Sequence, residues 1–315
     1  MPRRVIALFV MTATIVCAVV GCHRADHRKK LIAIIVPSQD NPYFKAEADA
    51  ASARAQQLGY RVRVDAHGDD AYVQDNLIDA AIASNAAALI LDNAGADSSI
   101  AAVRRATRAG IAVFLIDRAI NDDGIAKAQI ISDNGQGARL VAAEFARALH
   151  ETGDYAELLG RESDTNAQIR TEGFHAVLDK DPGLKMVAAQ SANWSQSEAF
   201  EKTEIILQAH PNIAGIIAGN DTMALGAVAA VKSSGLKHIV ITGFDGSPDA
   251  IEAIRKDDLQ ATALQPAVLI SRLAVDEANT FLTTGSTGKP ERQIIPCDLV
   301  TAANAADYSN FEKVR

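Results

Sequence analysis

The stretch IAVFLIDR at residues 111–118 decides the fold. Its apolar run through Ile116 is typical of a strand that is buried on both faces of a parallel sheet. The run stops at Asp117 and Arg118, which place a hydrogen-bond acceptor and a donor side by side at the end of the strand. Ligands of open parallel sheets bind beyond the carboxyl ends of the strands. The stretch therefore predicts both a parallel sheet and a polar ligand site at its edge.

The same rhythm extends in both directions from this strand. Short β-branched runs alternate with longer stretches of helical spacing, and this alternation forces parallel sheets with right-handed crossovers. The runs fall into two sets of about 100 residues each, which predicts an α/β fold of two doubly wound lobes. We predict strands at 31–36, 60–66, 88–92, 111–117 and 129–133 in the first set, and at 155–160, 186–190, 215–219, 239–244 and 261–265 in the second.

Composition agrees with this class of fold. The 315 residues are 48% hydrophobic but only 5% aromatic, so the core must consist mainly of aliphatic side chains. The net charge is −8. A negative chain lacks the positive field that non-specific binding to nucleic acid or to an acidic membrane requires.

The N-terminus has the three-part plan of an export signal. Arg3 and Arg4 precede the uncharged run Val5–Val20, and a Gly leads to Cys22. The alternative is a membrane anchor, but the run is shorter than the ~20 residues that a span needs. The ending resembles a bacterial lipoprotein signal, which implies lipidation of Cys22. We therefore expect an exported protein of the periplasm or cell envelope, anchored to a membrane by lipid.

Removal of the signal changes which cysteines remain in the mature chain and what its net charge is. Cys17 is lost with the signal, Cys22 carries lipid, and Cys297 is left without a partner for a disulfide, so we expect it to be a small buried hydrophobe. Loss of residues 1–21 removes two of 31 basic residues, which gives a mature charge of 29 − 39 = −10.

Polar and aromatic side chains recur where the predicted strands end. A hydroxyl both donates and accepts, so carboxylates, amides and guanidinium groups together suit a neutral polyhydroxyl ligand, and an aromatic ring suits the C–H face of a sugar. An Asp after a strand is also typical of a helix cap. The candidate polar residues are Asn41, Asp92, Asp117, Arg118, Arg170, Asn220, Asp245 and Gln265, and the aromatic ones are Tyr43, Phe44 and Trp194.

At these residues the chain resembles the periplasmic sugar-binding proteins of ABC importers, near the ribose-binding branch, which have the type I periplasmic binding protein fold. The resemblance covers about residues 31 to 300 and rests on six stretches in register: DNPYF (40–44), LIDR (115–118), RTEGF (170–174), GNDTMALGA (219–227), GFDGSPDAI (243–251) and ATALQP (261–266).

The resemblance implies roles for the candidate residues. Asn41, Asp117 and Arg118 bind sugar hydroxyls from the first lobe, and Tyr43 and Phe44 form an apolar wall. Arg170, Asn220 and Asp245 bind from the second lobe, Trp194 and Phe244 close the other side, and Gln265 lies beside the hinge. No cofactor and no metal is expected.

The resemblance also implies a domain plan. After the signal (1–22) and a tether (23–30), the first lobe comprises 31–132 plus 266–293, and the second comprises 133–265 plus 294–315. The chain then crosses between lobes near 132–134, 262–266 and 293–297. The expected partners are a monosaccharide or polyol and a membrane permease, with no nucleic acid, and the protein is expected to be a monomer.

Two departures from the ribose binders leave the sugar open among pentoses, hexoses and polyols. Trp194 stands where those proteins commonly have Phe. Asp92 stands where they have Asn in an ungapped alignment, although Asn93 restores the amide if the loop is one residue shorter. The acidic calcium loop of the galactose-binding relatives is not apparent in the sequence.

Other functions fit less well. The chain has neither an HExxH motif nor a GxSxG motif, and TTGSTGKP (283–290) lacks the first Gly of a phosphate loop, so we expect no enzyme. A sugar-responsive transcription regulator shares the core but carries a DNA-binding helix-turn-helix where this chain has its signal. A sensing subunit for a chemoreceptor or sensor kinase remains an alternative to import.

Overall fold

The computed structural model describes residues 30–314. The expected signal at 1–22, with Cys22, and nearly all of the expected tether lie outside the described residues. Within 30–314, no helix combines the length and the hydrophobicity that crossing a bilayer requires.

The first lobe is built on a parallel sheet in the order β11-β5-β4-β3-β1-β2. Its strands are β1 (Leu31–Val36), β2 (Arg61–Ala66), β3 (Ala88–Leu91), β4 (Ala112–Ile116), β5 (Ala128–Ser132) and β11 (Arg292–Ile295), and its helices are α1 (Pro42–Gln57), α2 (Ala71–Ala83), α3 (Ile100–Arg108) and α9 (Ala267–Thr284).

Strand β4 shows why helices cover both faces of this sheet. All five of its side chains are apolar and buried, and successive side chains point to opposite faces. Phe114 joins the core beneath α1 and α9, whereas Val113 and Leu115 join the core beneath α2 and α3. A continuous apolar run is thus the pattern that a doubly covered strand requires.

The second lobe repeats the plan with the order β12-β10-β9-β8-β6-β7. Its strands are β6 (Gly153–Leu159), β7 (Leu184–Ser191), β8 (Gly215–Ala218), β9 (Val240–Thr242), β10 (Ala261–Leu264) and β12 (Asp298–Thr301), and its helices are α4 (Asn134–Ala148), α5 (Thr165–Leu178), α6 (Gln196–Ala209), α7 (Asp221–Ser234) and α8 (Pro248–Arg255). The predicted fold of two doubly wound lobes is confirmed. The exception to parallel pairing is β12, which runs antiparallel to β10 because it follows β11 without a crossover helix.

The chain passes between the two sheets at three places. It leaves the first sheet after β5 and enters α4, returns between β10 and α9, and crosses again between β11 and β12. Cys297 lies at this last crossing, where it is buried and free of any disulfide. These three short connections between the lobes are the region that the sequence predicted as a hinge.

A C-terminal hairpin contacts both lobes. Its strands are β13 (Tyr308–Ser309) and β14 (Glu312–Lys313). Tyr308 packs in the core of the second lobe, whereas Phe311 at the turn packs in the core of the first, with its ring 5.5 Å from that of Tyr43. The sequence reasoning assigned no hairpin to this segment.

Candidate ligand-binding site

The carboxyl ends of the strands of both lobes meet around a cavity of about 240 Å³. Carboxylates, amides, guanidinium groups and aromatic rings face this cavity together, which suits a small polyhydroxyl ligand such as a monosaccharide. The lining residues are Asn41, Tyr43, Phe44, Asp117, Arg118, Asp164, Asn166, Arg170, Trp194, Asn220, Asp245 and Gln265. Ten of the twelve side chains that the sequence singled out are thus brought together.

The Asp117–Arg118 pair forms a strained turn at the end of β4. Asp117 has a φ of 56°, in the left-handed region that few residues other than Gly adopt. Its Oδ1 accepts a hydrogen bond from the Tyr43 hydroxyl at 3.3 Å. The Arg118 guanidinium lies over the Phe44 ring, 5.0 Å from its centroid. The strained turn therefore aims a carboxylate and a guanidinium at one cavity, as functional sites often do.

Arg118 is surrounded by carboxylates. Its nearest nitrogens lie 2.7 Å from an oxygen of Asp69, 2.8 Å from Asp164, 3.5 Å from Asp92 and 3.8 Å from Asp117. Only Nη1 makes hydrogen bonds of good geometry, whereas Nη2 is buried without a partner among the described residues. An unpaired buried donor at a cavity wall is suited to a ligand oxygen.

The second lobe presents a matching arginine. Arg170 lies 4.0 Å from the centroid of the Phe244 ring and 5.4 Å from that of Trp194. Its Nη1 donates to the carbonyl oxygen of Gly219 at 2.8 Å and to Asp245 Oδ1 at 3.4 Å. This stacking places the guanidinium on an aromatic surface and leaves its edge toward the cavity.

Asp245 and Gln265 form a polar pair beside the hinge. Gln265 Nε2 donates to Asp245 Oδ1 at 2.9 Å, while Gln265 Oε1 is buried without a partner in the described chain. Asp245 has a φ of 122°, a further strained position at the cavity. The free oxygen of Gln265 is available to a donating hydroxyl.

Two asparagines serve as helix caps and as cavity residues. Asn41 Oδ1 accepts from the backbone N–H of Tyr43 at 3.0 Å, and Asn220 Oδ1 accepts from that of Met223 at 2.9 Å. Each cap uses the amide oxygen, which leaves Nδ2 to donate to a ligand. The cap of α7 is therefore Asn220, and the carboxylate of the next residue, Asp221, accepts from Thr262 and Ser247 instead.

Burial raises the pKa values of the cavity carboxyl groups. Desolvation raises the pKa of Asp117 to about 6, although Arg118 opposes the shift. Desolvation also raises the pKa of Asp245 well above its usual range, against the opposing charge of Arg170. Hydrogen bonds from ligand hydroxyls replace some of the lost solvation and favour the ionised forms.

The comparisons with known proteins agree with this geometry. Residues 32–286 match the family described as the periplasmic binding protein domain. This chain belongs to that family. It is 54% identical to a D-apiose import binding protein of Paraburkholderia graminis over 98% of each chain, and 52% identical to one of Actinobacillus succinogenes over 89% of this chain and 91% of that one.

A solved structure supports the same assignment. An ABC transporter periplasmic solute binding protein from Actinobacillus succinogenes, with bound D-allose, superposes with a TM-score of 0.83 and 29% identity. The match covers 89% of this chain and 100% of the solved chain. The family match and these relatives together make the chain the exported substrate-binding component of an ABC-type sugar importer, a transport protein rather than an enzyme, as the sequence predicted.

Two of the sequence-predicted residues do not line the cavity. Asp92 is fully buried behind Arg118, and its neighbour Asn93 turns away to donate to the Arg118 carbonyl at 2.6 Å. Phe244 lies beneath Arg170 in the core of the second lobe. Both Asp92 and Phe244 thus support an arginine of the cavity wall, because a side chain in front of each fills the space toward the ligand.

Three residues near the cavity were missed. Asp164 and Asn166, at the start of α5, line the cavity, and Glu47 is fully buried in α1. Burial and the neighbouring Asp92 raise the pKa of Glu47. An Asp two residues before an Asn at a helix start signals a cap, but nothing in that local pattern signals contact with another lobe.

Proposed function

We propose that this chain is the binding protein for import of D-apiose, a branched five-carbon sugar. The observation that carries the proposal is the 54% identity to a D-apiose import binding protein over 98% of both chains. The lining of the cavity supports the proposal, because its carboxylates, amides and aromatic rings together suit a monosaccharide.

We propose that the cavity residues bind different groups of the sugar. Asp117 and Asp245 accept from hydroxyls, Arg118 Nη2 and the amide nitrogens of Asn41 and Asn220 donate to sugar oxygens, and Gln265 Oε1 accepts one more hydrogen bond. Trp194 and Phe44 cover the apolar faces. The sugar holds the lobes together across the hinge, so its binding free energy drives closure.

The proposal extends to the envelope. The mature protein is a monomer that is held at a membrane by lipid on Cys22 and delivers its sugar to the permease. Cys22→Ser should release the protein from the membrane fraction, whereas light scattering of the soluble protein should give the mass of one chain.

Thermal unfolding against a sugar panel tests the ligand. The panel contains D-apiose, D-ribose, D-allose and myo-inositol, the last three because related proteins bind them. Ligand at 100 times Kd stabilises the folded state by about 2.7 kcal/mol. For a protein of this size, that corresponds to roughly 5–10 °C in melting temperature. A clear shift with D-ribose and none with D-apiose would refute the proposed ligand.

A further inference from the structure

The start of α5 in the second lobe contacts the Asp117–Arg118 turn of the first. Asp164 Oδ2 lies 2.8 Å from Arg118 Nε, and Asn166 Nδ2 donates to Asp117 Oδ1 at 3.2 Å. All four side chains are at least nine-tenths buried. Two consecutive residues of one lobe are thus engaged by two nearby residues of the other.

Asp164 makes three contacts with a single carboxylate. Oδ1 accepts from the backbone N–H of Asn166 at 2.9 Å and caps α5. Oδ2 accepts from the indole Nε1 of Trp194 at 3.1 Å and also faces Arg118. The cap fixes the position of the carboxylate. Asp164 therefore holds Arg118 of the first lobe and the Trp194 ring of the second lobe at fixed positions relative to each other.

Asn166 extends this contact to the hinge. Its Oδ1 accepts from Asn134 Nδ2 at 3.1 Å, and Asn134 Oδ1 accepts from Arg170 Nε at 2.7 Å. Asn134 begins α4, directly after the first crossing between the lobes. A continuous chain of hydrogen bonds therefore joins Asp117 in the first lobe to Arg170 in the second.

We propose that Asp164 and Asn166 form an interlobe latch that positions Arg118 and Trp194 for the sugar in the closed state. The contacts of Asp164 with Arg118 and of Asn166 with Asp117 form only when the two lobes meet, because the partners belong to different lobes. It contributes to the affinity by raising the population of the closed state, since the apparent Kd varies inversely with the competent fraction. This inference rests on the proposed closure over a sugar.

Matched substitutions separate the latch from the helix cap. Asp164→Ser keeps a residue that caps helices well but is too short to reach Arg118 and Trp194. Asp164→Asn keeps the shape of the side chain but has one acceptor oxygen instead of two. If that oxygen caps α5, the amide N–H groups face the donors of Arg118 and Trp194; if it faces those donors, the cap is lost. The control is Asp70→Ser, since Asp70 caps α2 in the same way but is exposed.

Trp194 is the single tryptophan of the chain, so its fluorescence reports on the latch directly. We expect Asp164→Ser and Asp164→Asn each to weaken D-apiose binding at least tenfold, about 1.4 kcal/mol, and to alter the sugar-induced change in Trp194 emission. Asp70→Ser should leave both unchanged. A role confined to capping or to side-chain volume predicts wild-type affinity for Asp164→Asn, and that result would overturn the latch.

Small-angle scattering of the sugar-free proteins keeps this test independent of the proposed ligand. If the wild-type chain fails to bind D-apiose, the proposed ligand is refuted, but the latch still predicts a larger radius of gyration for Asp164→Ser than for the wild type. Equal radii in that case overturn the latch.

Discussion

Replacing Asp117 with Ala removes the carboxylate at the centre of the cavity. Its Oδ1 accepts from the Tyr43 hydroxyl at 3.3 Å and from Asn166 Nδ2 at 3.2 Å, and Oδ2 lies 3.8 Å from Arg118 Nε. A hydrogen bond to a charged acceptor contributes about 1.5–3 kcal/mol, and a donor left buried without a partner costs about 1–3 kcal/mol. We expect a loss of about 3 kcal/mol in sugar binding, which is roughly a 100-fold rise in Kd.

Calorimetric titration with D-apiose measures this change. Asp117→Asn is the matched variant, because Asn tolerates the positive φ and keeps one acceptor oxygen. It should lose about tenfold, since it exchanges a charged acceptor for a neutral one. Thermal unfolding without sugar checks that both variants fold. An Ala variant that binds the sugar as tightly as the wild type would refute the assignment of Asp117 to the sugar.

Three further outcomes are expected. Below pH 6 the apparent Kd for D-apiose should rise by up to tenfold per pH unit, because the pKa of Asp117 is raised to about 6 and only the ionised carboxylate accepts through both oxygens. A flat titration series from pH 7 to pH 5 contradicts this. Glu47→Gln should flatten the pH dependence of stability, because burial raises the pKa of Glu47 and the folded state keeps a proton that the unfolded state releases. The free energy of unfolding of the wild type should therefore fall by up to about 1.4 kcal/mol per pH unit above pH 4.3, which urea unfolding at pH 5 and pH 7 can measure. Equal slopes for the two proteins would contradict this. Gly160→Ala should displace the indole ring of Trp194, because the new Cβ would overlap that ring. We expect sugar binding to weaken by roughly tenfold, about 1.4 kcal/mol, and the fluorescence emission of Trp194 to shift. Unchanged emission would show that the ring does not move.

The sequence predicted the fold from patterns that act locally. A strand covered on both faces must be apolar throughout, and β4 has that pattern, so the parallel architecture follows from the apolar runs and from their alternation with helical stretches. Strand β12 escaped this reasoning, because its direction depends on how the chain crosses the hinge. The hairpin around Phe311 was missed for a related reason, since it is stabilised by packing against both lobes.

The candidate site was predictable where a residue follows its strand directly. Asp117, Asn220 and Asp245 line the cavity because the carboxyl ends of parallel strands meet at one edge. Asp92 also follows its strand, but it lies behind Arg118, whose length fills the space in front of it. Whether such a residue faces the cavity depends on the size of its neighbour, which spacing along the chain does not encode.

Helix capping and ligand contact need not be alternatives for a polar residue at the end of a strand. Asn41, Asn220 and Asp164 each cap a helix with one side-chain atom and turn the other toward the cavity or across it. The cap removes the rotational freedom of the side chain before any sugar arrives, so less entropy is lost on binding. A residue that sequence reasoning would assign to structure alone can therefore be a well-prepared binding group, and Asp164 was overlooked for that reason.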